Sequence, residues 1–270
     1  KSFMISNSYY VNSSLSVIGG KFETKDVKNV GLISNSDPNN TISALQGSIE
    51  WGDNTLIQSL YVDSSDEYLF MGVNGSVQIN EQTNVTGIVI YDLVNNTFTS
   101  FQPAELSHSN GDPISVNSMV LFDKGNKLLV GGDFDLAGSL SCPSLCVYDI
   151  TNTRWINPQN DATTTQSIGG VVTDMKFFQS NQVLITGNGL QLNGNSGIKF
   201  LIYNFNSNSF SVKDSLNKID QTVEKFILND ENNKNLDGRM IAFGEKSISG
   251  FDGSNWQRID SDIIYENFTK

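Results

Sequence analysis

The residue types that could do chemistry are few and widely spaced. The 270-residue chain has one histidine, His108, and two cysteines, Cys142 and Cys146. A copper- or zinc-type centre needs more imidazole and thiolate donors than that, so a metal site built on them is excluded. A serine triad would have to recruit the same His108, and no nucleophile-elbow motif accompanies it. In its setting, Ser107-His108-Ser109-Asn110-Gly111, the imidazole reads as a solvated loop residue. Asp133 and Asp135 could bind Ca²⁺, but the alternating oxygens of a calcium loop are missing, and turn capping is the better reading. Asp252 has the outline of a sialidase Asp box with the wrong spacing and reads as a turn former. A glycosidase needs two carboxylates about 5–10 Å apart in a cleft, a distance that no sequence sets. Tyr9-Tyr10 could serve as a sugar platform or as a strand edge. No catalytic, metal-binding or cofactor-binding residue is assigned.

Cys142 and Cys146 stand in Cys-Pro-Ser-Leu-Cys and are either a local disulfide or two free thiols. A loop that folds back brings such a pair into bonding reach, so the bridge is favoured, and with it an oxidising compartment. Asn-x-Ser/Thr sequons fall at Asn12, Asn39, Asn74, Asn84, Asn95 and Asn267. A chain this rich in Asn, Ser and Thr carries about six by chance, so their number argues nothing. Each lies in a stretch that reads as a turn or strand edge, where a glycan is tolerated. Seventeen basic against 29 acidic residues give a net charge of −12, the wrong sign for nucleic acid or an anionic membrane surface. No apolar run is long enough to span a bilayer and no signal peptide is present. The start at Lys1 rather than Met suggests a mature form or an excised piece.

The elements that would position any such residues are short strands. Abundant Asn, Ser and Gly with only 5 Pro suit many tight turns and do not suit helices. The clearest unit runs from Val116 to Pro158: an apolar strand, a turn, Leu128 to Gly132, a cysteine-bearing excursion, a strand ending Val147-Tyr148-Asp149, a turn, and Trp155. Blurred copies recur. Second strands end at Gly19-Gly20, Met71-Gly72, Gly131-Gly132, Thr186-Gly187 and Phe243-Gly244. Third strands carry Tyr91, Tyr148, Tyr203 and Phe251, and fourth strands carry Phe98, Trp155, Phe210 and Trp256. Four antiparallel strands per unit of about fifty residues is the signature of a β-propeller blade. The fold expected is all-β, a propeller of about five blades at residues 1–48, 55–105, 114–160, 170–214 and 222–260. The tail, 261–270, is either a closing strand or the start of a further blade.

A Gly pair followed by Tyr and then Trp is similar to the kelch repeat. The longer string GGDFDLAGSLSCPSLCVYDITNTRW resembles the fungal Rax family, cortical polarity landmarks of bud-site selection. The specific part is Cys142 to Trp155, and the looser pattern covers most of the chain. The resemblance implies an internal piece of the extracellular region of a large type I plasma-membrane glycoprotein. It also implies a multi-span membrane protein of the same pathway as partner, and a location on the extracellular side of the fungal plasma membrane. It brings no enzymatic residues. A non-catalytic scaffold or recognition domain is the leading expectation; a lectin or glycoside hydrolase is the runner-up.

Overall fold

The computed structural model describes residues 4–259 except 40, 53–54, 64, 82, 100–101, 160–165, 229–239 and 246. The tail and Asn267 lie outside the described residues, as do the side chains of Tyr9, Tyr10 and Asn12. Two compact units are present, residues 1–157 and 158–270.

The first unit opens with a sheet of β1 (Met4–Asn12), β2 (Leu15–Glu23), β3 (Lys28–Ser34) and β4 (Ile42–Ser43), in that spatial order. A second sheet holds β5 (Ile49–Trp51), β6 (Leu56–Val62), β7 (Tyr68–Ile79), β8 (Thr83–Asp92) and β9 (Thr97–Phe98). Its strands β6 to β9 form the same meander, while β5 pairs with the far half of β7. Next come β10 (Leu106–Ser107), β11 (Ser115–Phe122), β12 (Lys127–Asp133), β13 (Leu136–Ala137), β14 (Leu140–Ser141), β15 (Leu145–Asp149) and β16 (Arg154–Ile156). Here β11-β12-β15-β16 is the meander, and β10-β13-β14 is a small sheet at one end. The second unit has β17 (Ile168–Gln179), β18 (Gln182–Leu192), β19 (Phe200–Asn204) and β20 (Ser209–Ser211), then β21 (Lys225–Leu228), β22 (Met240–Phe243), β23 (Ile248–Phe251) and β24 (Trp256–Arg258), again in sequential order.

Side chains alternate across a strand, so a sheet buried on both faces must be apolar at consecutive positions. β7 shows this. Leu69, Met71 and Val73 join Val17, Val30 and Ile57 in one core, while Phe70 joins Leu128, Val130 and Tyr148 in the next. The second unit repeats the device with Leu184, Phe200 and Ile202 against Phe226, Met240 and Phe251. Polar clips supplement the apolar contact. The Ser59 hydroxyl donates to the Val116 carbonyl at 3.0 Å, and the buried Asp174 carboxylate accepts the Phe226 N–H at 3.1 Å.

A bulge recurs in the first strand opposite the second-strand glycine. Val116 pairs with Gly132 and Ser118 with Gly131, leaving Asn117 as the extra residue; Val172 pairs with Gly187 and Asp174 with Thr186. A Cβ on Gly132 would sit on the Ser115 carbonyl oxygen, and one on Gly187 on that of Val171. Only hydrogen fits there.

The aromatic pairs are directly cross-strand: Tyr91 opposite Phe98, Tyr148 opposite Trp155, Tyr203 opposite Phe210 and Phe251 opposite Trp256. Their ring centroids lie 5.1, 5.1, 4.8 and 5.0 Å apart, within aromatic contact. Trp256 also stacks on Phe200 of the adjoining sheet at 5.8 Å. The residue after each third-strand aromatic builds the turn that makes this register. Asp92 accepts the N–H groups of Val94 and Asn95, Asp149 that of Asn152, Asn204 those of Asn206 and Ser207, and Asp252 those of Ser254 and Asn255. These are Asx turns.

The Asx carboxyls are held below the ordinary aspartate range. For Asp149 the main cause is the Asn152 side-chain amide; for Asp92 and Asp252 it is a backbone N–H, of Asn95 and Asn255. A lowered folded-state value stabilises the fold above the unfolded-chain value, near about 3.9, and that stabilisation is lost as pH falls through the folded value. These groups should therefore leave the melting temperature level from about pH 5 to 7 and lower it below about pH 4. Asp149→Asn keeps an acceptor oxygen but no charge and should flatten the acid limb. An acid limb as steep as before would show that Asp149 contributes nothing to it.

Candidate functional site

In such a meander the 1→2 and 3→4 turns share one end of each sheet. The 2→3 excursions and the link arriving from the preceding sheet share the other. In the second, third and fourth sheets the first end is closed by short turns, whereas in the second and third the other end is elaborated. In the second sheet β7 and β8 run on together as a hairpin to Ile79 and Thr83, with β5 of the incoming link alongside. In the third, β13 of the excursion pairs with β10 of the incoming link on one side and with β14 on the other. Loops clustered on rigid sheets are where binding residues concentrate.

The third-sheet excursion is tied down at every step. The Asp135 N–H donates to the Ser107 carbonyl at 3.0 Å, that of Cys142 to Asp135 at 2.8 Å, and that of Ser144 to Phe134 at 2.9 Å. Cys142 and Cys146 are fully buried and joined by a disulfide with Cα atoms 5.6 Å apart. Phe134, at the head of the excursion, is buried in the same core. The Trp155 indole N–H donates to the Ala104 carbonyl at 2.9 Å, anchoring the incoming link. Trp256 does the same to Leu216 at 3.0 Å in the fifth sheet.

His108 is not the solvated residue that its polar neighbours suggest. Its side chain is 13% exposed, with Nε2 3.4 Å from Asp133 and Nδ1 3.2 Å from Asp135. Pairing of β10 with β13 draws it in, setting residues 106–108 against the excursion. Asp133 and Asp135 thus flank the two ring nitrogens of His108 rather than serving as simple turn caps. Asp135 also accepts the Ser109 N–H at 3.3 Å and hydroxyl at 3.1 Å. Its carboxyl is held below the ordinary range, first by His108 and then by Ser109. With both nitrogens facing carboxylates, neither faces a serine hydroxyl, and the arrangement is a fastening rather than a triad. Among the described residues no three His, Cys, Asp or Glu side chains are arranged to hold a metal.

The sequons fall in varied settings. Asn39 is exposed in the β3–β4 link, and Asn95 is exposed in a turn with its amide donating to Asp92 at 2.8 Å. Asn12, Asn74 and Asn84 lie within β1, β7 and β8 rather than in turns. The Asn74-Gly75 pair that reads as a turn is absorbed in a bulge between Gly72 and Ser76, where Gly75 has φ +99°.

A feature without any repeat signal is a cleft of about 620 Å³ in the first unit, between the β2–β3 excursion and the link that carries β5. Asp26, Lys28, Val30, Leu45, Glu50 and Trp51 line it.

A family model described as the Rax2 C-terminal beta propeller domain matches residues 88–270. The chain is similar to Polarized growth protein L1 of Phoma sp. (strain ATCC 20986 / MF5453), with 26% identity over 259 residues, 94% of this chain and 18% of that protein. It is also similar to Bud site selection protein RAX2 of Saccharomyces cerevisiae (strain ATCC 204508 / S288c), with 30% identity over 98 residues, 36% of this chain and 7% of that protein. The chain therefore corresponds to less than a fifth of either relative. Among solved structures, the C-terminal WD40 domain of Sif2 aligns over 95% of this chain and 60% of its own at 9% identity and a TM-score of 0.49. The RRP9 WD40 repeats align over 79% of this chain and 56% of their own at 13% identity and a TM-score of 0.44.

Proposed function

This chain belongs to the Rax2 C-terminal β-propeller family, and from that premise we propose that it is a non-catalytic recognition domain in cell polarity and bud-site selection. Polarized growth and bud-site selection are what the names of these two relatives carry. The observation that carries the reading is the contrast between the two ends of the third sheet. One end is closed by the Asp149 Asx turn, and the other presents an excursion fixed by backbone pairing, a disulfide and the His108 clamp. Loops held this firmly suit recognition of a preformed surface, because little ordering entropy remains to be lost on binding. The single histidine being spent on two aspartates supports the same reading.

The finer reading is an extracellular scaffold of a glycosylated membrane protein, partnered by a multi-span membrane protein. The buried disulfide supports an oxidising compartment. Exposed Asn39, Asn84 and Asn95 are the sequons best placed to carry glycans. No helix among the described residues is long and apolar enough to cross a membrane.

The test uses the full-length protein bearing this domain in its own cells. Surface biotinylation of intact cells followed by crosslinking should label the domain and recover a multi-span membrane protein, with Cys142 and Cys146 refractory to thiol labelling after denaturation without reductant. Deleting residues 134–144 should abolish the crosslink. A domain unlabelled on intact cells, or two labelled thiols, would overturn the extracellular placement. A crosslink indifferent to the deletion would overturn the assignment of the recognition surface to this end.

A further inference from the structure

The three tryptophans are not used alike. Trp155 and Trp256 sit on fourth strands and spend their indole N–H groups on backbone carbonyls. Trp51 sits on β5, outside the repeat, and lines the cleft of about 620 Å³. Among the described residues its indole N–H has no acceptor, and the side chains of Asp26, Lys28 and Glu50 have no hydrogen-bond or ion-pair partner. Several aspartates elsewhere in the fold are occupied by turn N–H groups, by His108 or by the neighbouring strand, as at Asp92, Asp149, Asp135 and Asp174. Here four such uncommitted polar groups gather around one cleft.

The lining has an amphipathic plan. Val30 and Leu45 are buried and give the cleft an apolar floor, and half-buried Trp51 adds an aromatic wall. Exposed Asp26, Lys28 and Glu50 form the rim. The volume lies within the range of about 300–1,000 Å³ typical of small-ligand sites. A ligand here must offer an apolar face together with groups that donate to carboxylates and accept from an ammonium and an indole N–H. A hydroxyl does both at once. An anionic ligand meets two carboxylates and a chain of net charge −12. A cationic ligand meets Lys28. A neutral polyhydroxyl ring with a C–H face satisfies every wall.

We propose that this cleft is a carbohydrate-binding subsite for a neutral pyranose. Trp51 with Val30 and Leu45 covers the apolar face of the sugar, Asp26 and Glu50 accept from its hydroxyls, and Lys28 donates to them. The site is one of binding, not of hydrolysis. It stands apart from the protein-recognition reading, because it lies on a different excursion and uses none of residues 134–144.

The 270-residue chain is titrated with neutral trisaccharides of glucose, mannose and N-acetylglucosamine, followed by calorimetry and tryptophan fluorescence. At least one should bind saturably. Glu50→Gln and Asp26→Asn, both exposed and not expected to disturb folding, should each weaken binding about tenfold. In Trp51→Phe the fluorescence change should vanish while the Trp155 and Trp256 emission remains. No saturable signal with any of the sugars up to about 10 mM overturns the proposal. So does binding that is unchanged in both carboxamide variants. Binding of a lysine-rich peptide through Glu50, with none of the trisaccharides bound, would reassign the cleft to a cationic segment and likewise overturn it.

Discussion

A Gly132→Ala protein is expected to lose about 3 kcal/mol of stability, the upper end of what forcing one methyl into a filled site usually costs. The added Cβ would land on the Ser115 carbonyl oxygen, with the Val116 Cα only 3.1 Å away, so backbone and not a flexible side chain must yield. The neighbouring bulge between Val116 and Ser118 leaves little slack to absorb the shift. For a chain of this size that corresponds to a melting temperature about 6–12 °C lower. Gly169→Ala is the control, because there the new Cβ would find its nearest atoms at 3.5 Å, ordinary contact. It should melt within about 2 °C of the parent. If Gly132→Ala melted with the Gly169 control, the close approach of β12 to β11 would not be a constraint.

Trp155→Ala should cost about 3 kcal/mol, low in the range for aromatic truncation because the ring is half-buried rather than enclosed. Two contacts are lost together, the ring on Tyr148 at 5.1 Å and the indole hydrogen bond to Ala104 at 2.9 Å. Trp155→Phe separates them. It keeps a ring for Tyr148 and removes only the hydrogen bond, for a loss of about 1 kcal/mol. Both variants release the link at Ala104, which leads into β10 and the His108 clamp. Amide exchange at residues 105–109 should accelerate in both, and in Trp155→Phe without much global destabilisation. Unchanged exchange there would show that the indole does not anchor the link.

What was readable in the sequence was what is local or periodic. The Tyr-Asp and Phe-Asp pairs announce third strands because the aspartate makes its turn within three residues, and the aromatic then meets its partner across that turn. The glycines at second-strand ends are readable because close approach tolerates nothing larger. His108 was misread for the complementary reason. Its immediate neighbours are polar, but its burial is decided by residues 133–137, which reach it only through strand pairing. The Trp51 cleft gave no signal at all. Residues 49–51 stand in the gap between the first two expected blades, and their strand exists only because β7 continues past its glycine. The Asn-Gly-Ser at 74–76 looks like a place to stop, and a bulge carries the strand through it.

The cross-strand aromatic pairs also dictate where the family has room to vary. An extra residue anywhere from 92 to 97, or from 149 to 154, would slide Tyr91 off Phe98 or Tyr148 off Trp155 and turn the outer strand inside out. An extra residue in the excursion at 134–144 moves no ring. Length changes that survive selection should therefore gather at the excursion end of each sheet, making that end the place where new specificities are tried while the opposite end stays monotonous.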